Sequence, residues 1–525
     1  MKKYNNVKKD TIMKRNNSFI FKFFNFYIAV AAMLLTACSL DREDYTEISP
    51  ENFPQTENDL RLAVNALMYD FGTGYWNGEG IFCAGYGGYQ VMSDMTTDAL
   101  WSCWGWESDE LYYQQWTSTM TGDLQNHVYQ NFAHYQYLSK ARNTIRRIEA
   151  SSAPEEAKQL YVGEVKALRG WMALYLYDLF GAVPVASDEV LDTPETFTYI
   201  GRLTDEEYDQ MMESDLRGAI DVLPEKAAAR GRMTKGAAMM ILLKYYMMRG
   251  KFTEAEALAR EMTEMEGRVY SLQANYNSIF TKENLGNAEI ILQVPCNADN
   301  SWTANYMTAE CLPSDMNWTE KAQGWGGYVI PWDFYDTFEQ GDQRARNLVT
   351  SYTSNASGQV ISRQSPNGGQ LAYGALPLKY GKDDDMTGSQ SGVDLVIYRY
   401  SDVLLTLAEC IVRNNNTVTS EAIDLVNRIR NRAGLANLSE TLTGSKDIFL
   451  EAILTERGHE FWLEGLRRQD LIRFNHYHEY ANQRIQAANA NGKSYFTVTE
   501  AHNRFFIPQT FIDESKSAIK QNSGY

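Results

Sequence analysis

Between Pro154 and Phe180 the apolar positions Tyr161, Val165, Leu168, Met172, Tyr175 and Leu179 recur at alternating steps of four and three, which predicts one face of a long helix. Gly181 is placed to cap its C-terminus and Pro184 to stop it. Thr204 and Glu207 form a capping box that opens a second helix, expected to run to about Leu223, before Pro224. The apolar segment from Ala238 to Tyr245 then leads through Gly250-Lys251-Phe252 to a further capping box at Thr253 and Glu256. The pattern is that of two antiparallel helices. Small residues at Ala238, Ala255 and Ala259 permit the close approach that tetratricopeptide hairpins use, with Leu242, Tyr245 and Phe252 filling the groove. A related hairpin is expected at Tyr400 to Val412 followed by Ala422, Ile423, Val426 and Ile429, before Gly434. These units lie far apart, so the array is interrupted rather than tandem.

Two stretches have a different texture. From Leu272 to Gly392, and again from Tyr69 to Trp116, Gly, Asn, Ser and aromatic residues replace the helical period, with short β-like pieces such as Glu289 to Val294. Long loops this rich in Trp are expected to be functional rather than disordered. The fold class read from the pattern is therefore mostly α, with two aromatic loop regions inserted into a helical scaffold and short β pieces.

The N-terminus carries an address. Lys2, Lys3, Lys8, Lys9, Lys14 and Arg15 precede an apolar run from Phe19 to Leu35, which ends in Leu35-Thr36-Ala37-Cys38. This is a secretory signal over residues 1–37 with a lipobox, so Cys38 is the expected lipidation site and first mature residue; Met13 is a second candidate start. Residues 38–60 read as a tether and N-terminal segment, beginning with the acidic Asp41, Glu43 and Asp44. Removing residues 1–37 takes away seven basic and one acidic residue, so the net charge moves from −18 to −24. That balance argues against nucleic acid as a partner. The remaining cysteines, at 83, 103, 296, 311 and 410, show neither disulfide nor zinc spacing. His476 with His478, and Asp383-Asp384-Asp385, are weak metal signals lacking further ligands, so no metal or cofactor is expected.

Trp101, Trp104 and Trp106 are the sharpest ligand candidates, because three indoles in six residues follow neither a helical nor a simple strand period. Trp302, Tyr306, Trp318 and Trp325 form the second candidate group; for Trp325 packing is at least as good a reading as binding. Carboxylates at Asp94, Asp98, Glu107, Asp109 and Glu110 lie near the first group and suit sugar hydroxyls as well as chemistry. Glu456, Glu460 and Glu464 recur every four residues on an expected helix, with Glu464 four before Arg468, a spacing for ion pairs rather than catalysis.

The stretch Ile453 to Arg473, containing Glu456-Arg457, Glu460, Glu464-Gly465, Arg467 and Asp470-Leu471, resembles the shared pattern of the SusD/RagB family of outer-membrane lipoproteins. Ala422 to Ala433, Gly324 to Gly327 with Phe338, Asp342 and Arg344, and the ending Gln521 to Tyr525 carry the same resemblance, with Ser523 where the family usually has proline. It implies a SusD-like fold with four tetratricopeptide-like helical hairpins packed against a loop-rich lobe with short β pieces, arranged as an N-terminal helical region over 61–270 and a C-terminal region over 271–525. It also implies a partner, a SusC-like TonB-dependent outer-membrane barrel, and a glycan ligand, oligosaccharide or polysaccharide, bound without catalysis at the outer face of the outer membrane. A peptide ligand, as in the RagB branch, is the first alternative; a glycan-degrading enzyme using the loop carboxylates and a pure protein-interaction scaffold are the others.

Overall fold

The computed structural model describes residues 53–74, 80–85, 87–193 and 195–525, so the expected signal peptide, Cys38 and the tether up to residue 52 lie outside the described residues. The last part of the expected 38–60 segment is structured. Helix α1 (Glu57–Met68) starts there behind a capping box of Thr56 and Asp59. The residues from Pro54 to Tyr525 form one unit, a mostly helical fold with few short strands.

Helices α2 (Tyr89–Met95) and α3 (Asp123–Ala133) lead into a stack: α4 (Tyr135–Ala150), α5 (Glu155–Phe180), α6 (Asp205–Val222), α7 (Lys235–Met248), α8 (Phe252–Thr263), α9 (Tyr400–Asn415), α10 (Ser420–Arg432) and α11 (Lys446–Phe461). Each helix packs on the next, so four hairpins stand side by side. The array is interrupted in sequence, as expected, yet continuous in space, because α9 lies directly on α8. There Asn414 Nδ2 donates to the Phe252 carbonyl at 3.0 Å and the Arg413 guanidinium covers the Phe252 ring at 4.8 Å. Helix α7 is apolar on every side and buried from Gly236 to Met247, since α5, α6 and α8 enclose it.

The local signals acted largely as expected. Helix α5 ends at Gly181, whose φ of 79° suits glycine, and a Cβ there would stand 2.5 Å from Arg504 Nη1. Thr204 accepts from Glu207 N at 3.2 Å while Glu207 reaches back to Thr204 N at 2.8 Å. The capping box at Thr253 and Glu256 does not form. Gly250, at φ 69°, turns the chain early enough that helix α8 already begins at Phe252, and Glu256 accepts instead from Arg260 and Asn414. The Glu464–Arg468 pair does not form either. Helix α11 stops at Phe461, Leu463 turns the chain at φ 60°, and α12 (Arg467–Arg473) starts a new direction toward α13 (Tyr477–Ala490).

What those charges do instead is fasten the lobe to the stack. Residues 264–399 carry β2 (Ile290–Val294), β3 (Tyr328–Pro331), β4 (Leu348–Val349), β5 (Ser351–Thr353), β6 (Val360–Ser362), β7 (Gly374–Pro377) and β8 (Leu395–Arg399), and β1 (Trp101–Ser102) joins from the earlier loop. Strands run antiparallel in the order β1-β3-β7-β4, with separate β2-β8 and β5-β6 pairs. At the seam Arg344, Lys379, Arg399, Arg430 and Arg432 meet Asp342, Glu289, Glu456, Glu460 and Glu464, with no side chain more than 7% exposed. Arg399 is the hub: Nε donates to Glu464 Oε2 at 2.9 Å, Nη1 to Glu289 Oε1 at 2.6 Å and Glu460 Oε1 at 2.8 Å, and Nη2 to Glu464 Oε1 at 2.8 Å. Burial acts to raise the Glu460 pKa, but Arg432, Arg399 and Arg344 hold it well below the usual carboxylate range. Five cations facing five carboxylates satisfy the rule that buried charge must be paired.

Candidate functional site

Strand β1 places the first candidate group. Trp101 pairs with Val329 and Ser102 with Tyr328, and Cys103 N donates to the Gly327 carbonyl at 2.6 Å, so the indole-bearing loop is stitched to β3. Position 327 must be glycine. The Trp104 ring occupies the space a Cβ would fill, at 2.6 Å, and meets the Tyr328 ring edge-on with centroids 5.4 Å apart.

The three indoles do different things. Trp104 is packed in this way. Trp106 stands 44% exposed on the short helical turn that follows. Trp101 is half-buried and stacks on Tyr373 with centroids 5.9 Å apart and planes 16° from parallel, and Tyr373 itself is 50% exposed. Tyr112 closes the other side of Trp101 edge-on at 4.7 Å.

The second group divides similarly. Trp302 is 52% exposed, seated against Gly74, where a Cβ would come within 3.3 Å of its ring. Tyr306 is buried; its ring stacks under Trp325 at 5.6 Å, in a small cluster with Ala84 and Ala304. Trp325 donates Nε1 to Ser389 Oγ at 2.8 Å. Trp318 is partly buried against the main core with the Lys382 ammonium 5.2 Å from its centroid. Trp106, Trp302 and the Trp101–Tyr373 stack are thus the solvent-facing rings of the two groups, while Tyr306, Trp104 and Trp318 are packed against other parts of the protein. Tyr373 and Tyr112 were not singled out by the sequence. An aromatic two residues past Gly368-Gly369-Gln370-Leu371 was the available signal for Tyr373, but its partnership with Trp101 depends on strand order.

Four of the five carboxylates near the rings are engaged in structure, whereas Glu110 has a buried Oε2 without a hydrogen-bond partner among the described residues and burial pushes it up to about 7. Asp94 accepts from the backbone of Gly465 and Arg467, at 2.9 and 3.3 Å, Asp98 takes both arms of the Arg467 fork, and Asp109 accepts from Lys493 and Tyr495. Glu107 is fully buried and accepts from Ser102 Oγ at 2.7 Å. Burial, with a smaller contribution from nearby Glu310, pushes Glu107 up to about 8, and burial pushes Glu310 up to about 7. The floor under Trp104 therefore holds a protonated carboxyl at neutral pH. Burial also raises the thiols of Cys103 and Cys296 to about 12, which keeps them protonated and unreactive. Asp383 accepts from Lys282, Ser391 and the Gly392 and Asp385 amides, pinning a loop, and His476 lies between Glu451 and Glu479.

A scan of known families matches the SusD family over residues 288–525 and a family described as starch-binding, associating with outer membrane, over residues 81–247. A SusD-like protein of Bacteroides ovatus is 26% identical over 481 residues, covering 85% of this chain and 81% of its own length. The starch-binding protein SusD of Bacteroides thetaiotaomicron is 23% identical over 421 residues, covering 69% and 72%. Among solved structures, a SusD superfamily protein from Bacteroides vulgatus superposes with a TM-score of 0.71 at 22% identity, covering 90% of this chain and all of that one. Surface glycan-binding protein A from Bacteroides thetaiotaomicron, in complex with laminarihexaose, superposes with a TM-score of 0.70 at 20% identity, covering 89% and 100%.

Proposed function

This chain is a SusD-like family protein, and from that premise we propose that it is a surface glycan-binding lipoprotein, tethered through Cys38 to the outer face of the outer membrane. It captures oligosaccharides or polysaccharide and hands them to a SusC-like TonB-dependent barrel, by binding and without chemistry. The observation that carries this reading is the set of solvent-facing rings: Trp106 and the Trp101–Tyr373 stack, beside strands β1 and β7 of one sheet, and Trp302, seated against Gly74. Exposed aromatic faces offer sugar rings large contact area at low entropic cost. The relatives that carry glycan-binding names support it, and Asp94, Asp98 and Asp109 support a non-catalytic role because they are held by structural partners.

The test is calorimetric titration of the chain from Ser39 onward with a panel of neutral and acidic polysaccharides, alongside an assay for new reducing ends. Binding of a glycan that Trp101→Ala combined with Trp106→Ala weakens at least tenfold, with no new reducing ends, is the expected result. Peptide binding without glycan binding, or turnover that disappears in Glu107→Gln, would overturn it.

A further inference from the structure

Tyr112, which meets Trp101 edge-on, also lines a cavity of about 310 Å³, together with Asp98, Asp333, Tyr480, Gln483 and Arg484 among others. That volume sits at the lower end of small-molecule sites, which span about 300–1,000 Å³. Its walls are fixed. Arg467 holds Asp98 through two hydrogen bonds of 2.9 and 2.8 Å and donates Nη1 to the Leu454 carbonyl at 3.0 Å. Arg484, on α13, lies over the Tyr112 ring 4.4 Å from its centroid and donates Nη2 to the Tyr112 carbonyl at 3.0 Å. His476 stacks on one face of Tyr480 at 5.1 Å. At the mouth, Asp333 and Gln483 are exposed, and Asp333 makes no ion pair among the described residues.

The composition selects a ligand class. An anion entering the cavity meets the carboxylates of Asp98 and Asp333; a cation meets the guanidinium groups of Arg467 and Arg484. A neutral ring bearing hydroxyls suits both, because each hydroxyl can donate to a carboxylate and accept from an amide or guanidinium while the C–H face lies on an aromatic wall. We propose that this cavity is a second saccharide subsite, which takes a neutral terminal or branching sugar of a glycan whose main run crosses the tryptophan face. It rests on the glycan-binding reading above. Tyr112 links the two, since its ring meets that of Trp101 edge-on and also lines the cavity. A ligand filling both therefore gains avidity from a single chain.

The experiment uses maltohexaose, laminarihexaose and mannohexaose, with tetragalacturonate as the anionic control, titrated into the wild-type chain, Trp106→Ala and the double variant Asp333→Ala with Gln483→Ala. Both substituted side chains of the double variant are exposed, so its fold is preserved, and circular dichroism checks this. Wild type is expected to bind at least one neutral hexasaccharide, and the double variant to lose about tenfold in affinity, as for one or two lost hydrogen bonds to charged or polar groups. Crystals of the wild type soaked in the same hexasaccharide are expected to show a sugar ring in the cavity. Unchanged affinity in the double variant, or density confined to the tryptophan face, overturns the subsite and leaves the proposed function standing. Tighter capture of tetragalacturonate than of any neutral sugar overturns the neutral assignment, and binding of none of the probes overturns the subsite while the polysaccharide panel above decides the proposed function separately.

Discussion

Arg399→Met is the most informative single perturbation of the seam. It removes the cation that contacts Glu289, Glu460 and Glu464, and it leaves four cations against five carboxylates in a cluster whose side chains are at most 7% exposed. Each carboxylate keeps one partner: Arg432 stays with Glu289 and Glu460, and Lys379 with Glu464. Methionine replaces most of the aliphatic stem, so the cavity contribution is small and the cost is electrostatic. Removing one member of a buried ion pair costs about 3–5 kcal/mol, a large part of the roughly 5–15 kcal/mol that holds a domain together. Urea denaturation should show a lower midpoint at an unchanged slope. Combining Arg399→Met with Glu289→Gln makes the charges equal again, so the double variant should lose less than the sum of the two single losses, by about 1 kcal/mol or more. A loss under about 1 kcal/mol for Arg399→Met, or strict additivity in the pair, would refute the claim that charge balance at the seam stabilises the fold.

Other outcomes follow from groups described above. Glu107 rises from 4.5 in its ordinary state to about 8 in the fold, so its stabilising contribution is complete below pH 4.5 and is lost as pH rises through about 8; the thermal midpoint should fall over that window, and Glu107→Gln should flatten the fall by an amount on the order of a few kcal/mol. Asp402, held below its ordinary range against burial by Arg457 and Lys244, acts in the opposite sense, and stability should also decline as pH drops below the ordinary carboxylate range. Thr204→Ala removes the cap of α6 and should cost about 1 kcal/mol in the same urea assay.

Where the sequence was legible, the cause was local. Helices α5, α6 and α7 follow from a 3.6-residue period and from caps whose partners lie within a few positions. Thr253 misled because a capping box depends on where the preceding turn releases the chain, and Gly250 releases it two residues early, with Lys251 at the N-cap. Glu464 misled for a similar reason: the four-residue spacing runs straight through a left-handed turn at Leu463, so three glutamates that look like one helical face divide between a helix and the loop after it. The indoles at 101, 104 and 106 were conspicuous by density alone. Which of them faces solvent was not, since pairing of β1 with residues over two hundred positions away decides that Trp104 packs while Trp106 stands out.

The chain leaves the helical stack at Thr263 and rejoins it at Tyr400, with α9 laid on α8 as though nothing intervened. Trp302 and Tyr373 are carried on the excursion, Trp101 and Trp106 on the loop ahead of the stack, and excursion and stack share one apolar core as well as the charged seam. The stacking of Trp101 on Tyr373 therefore joins segments from both sides of the helical array, and it exists only once the whole fold has closed.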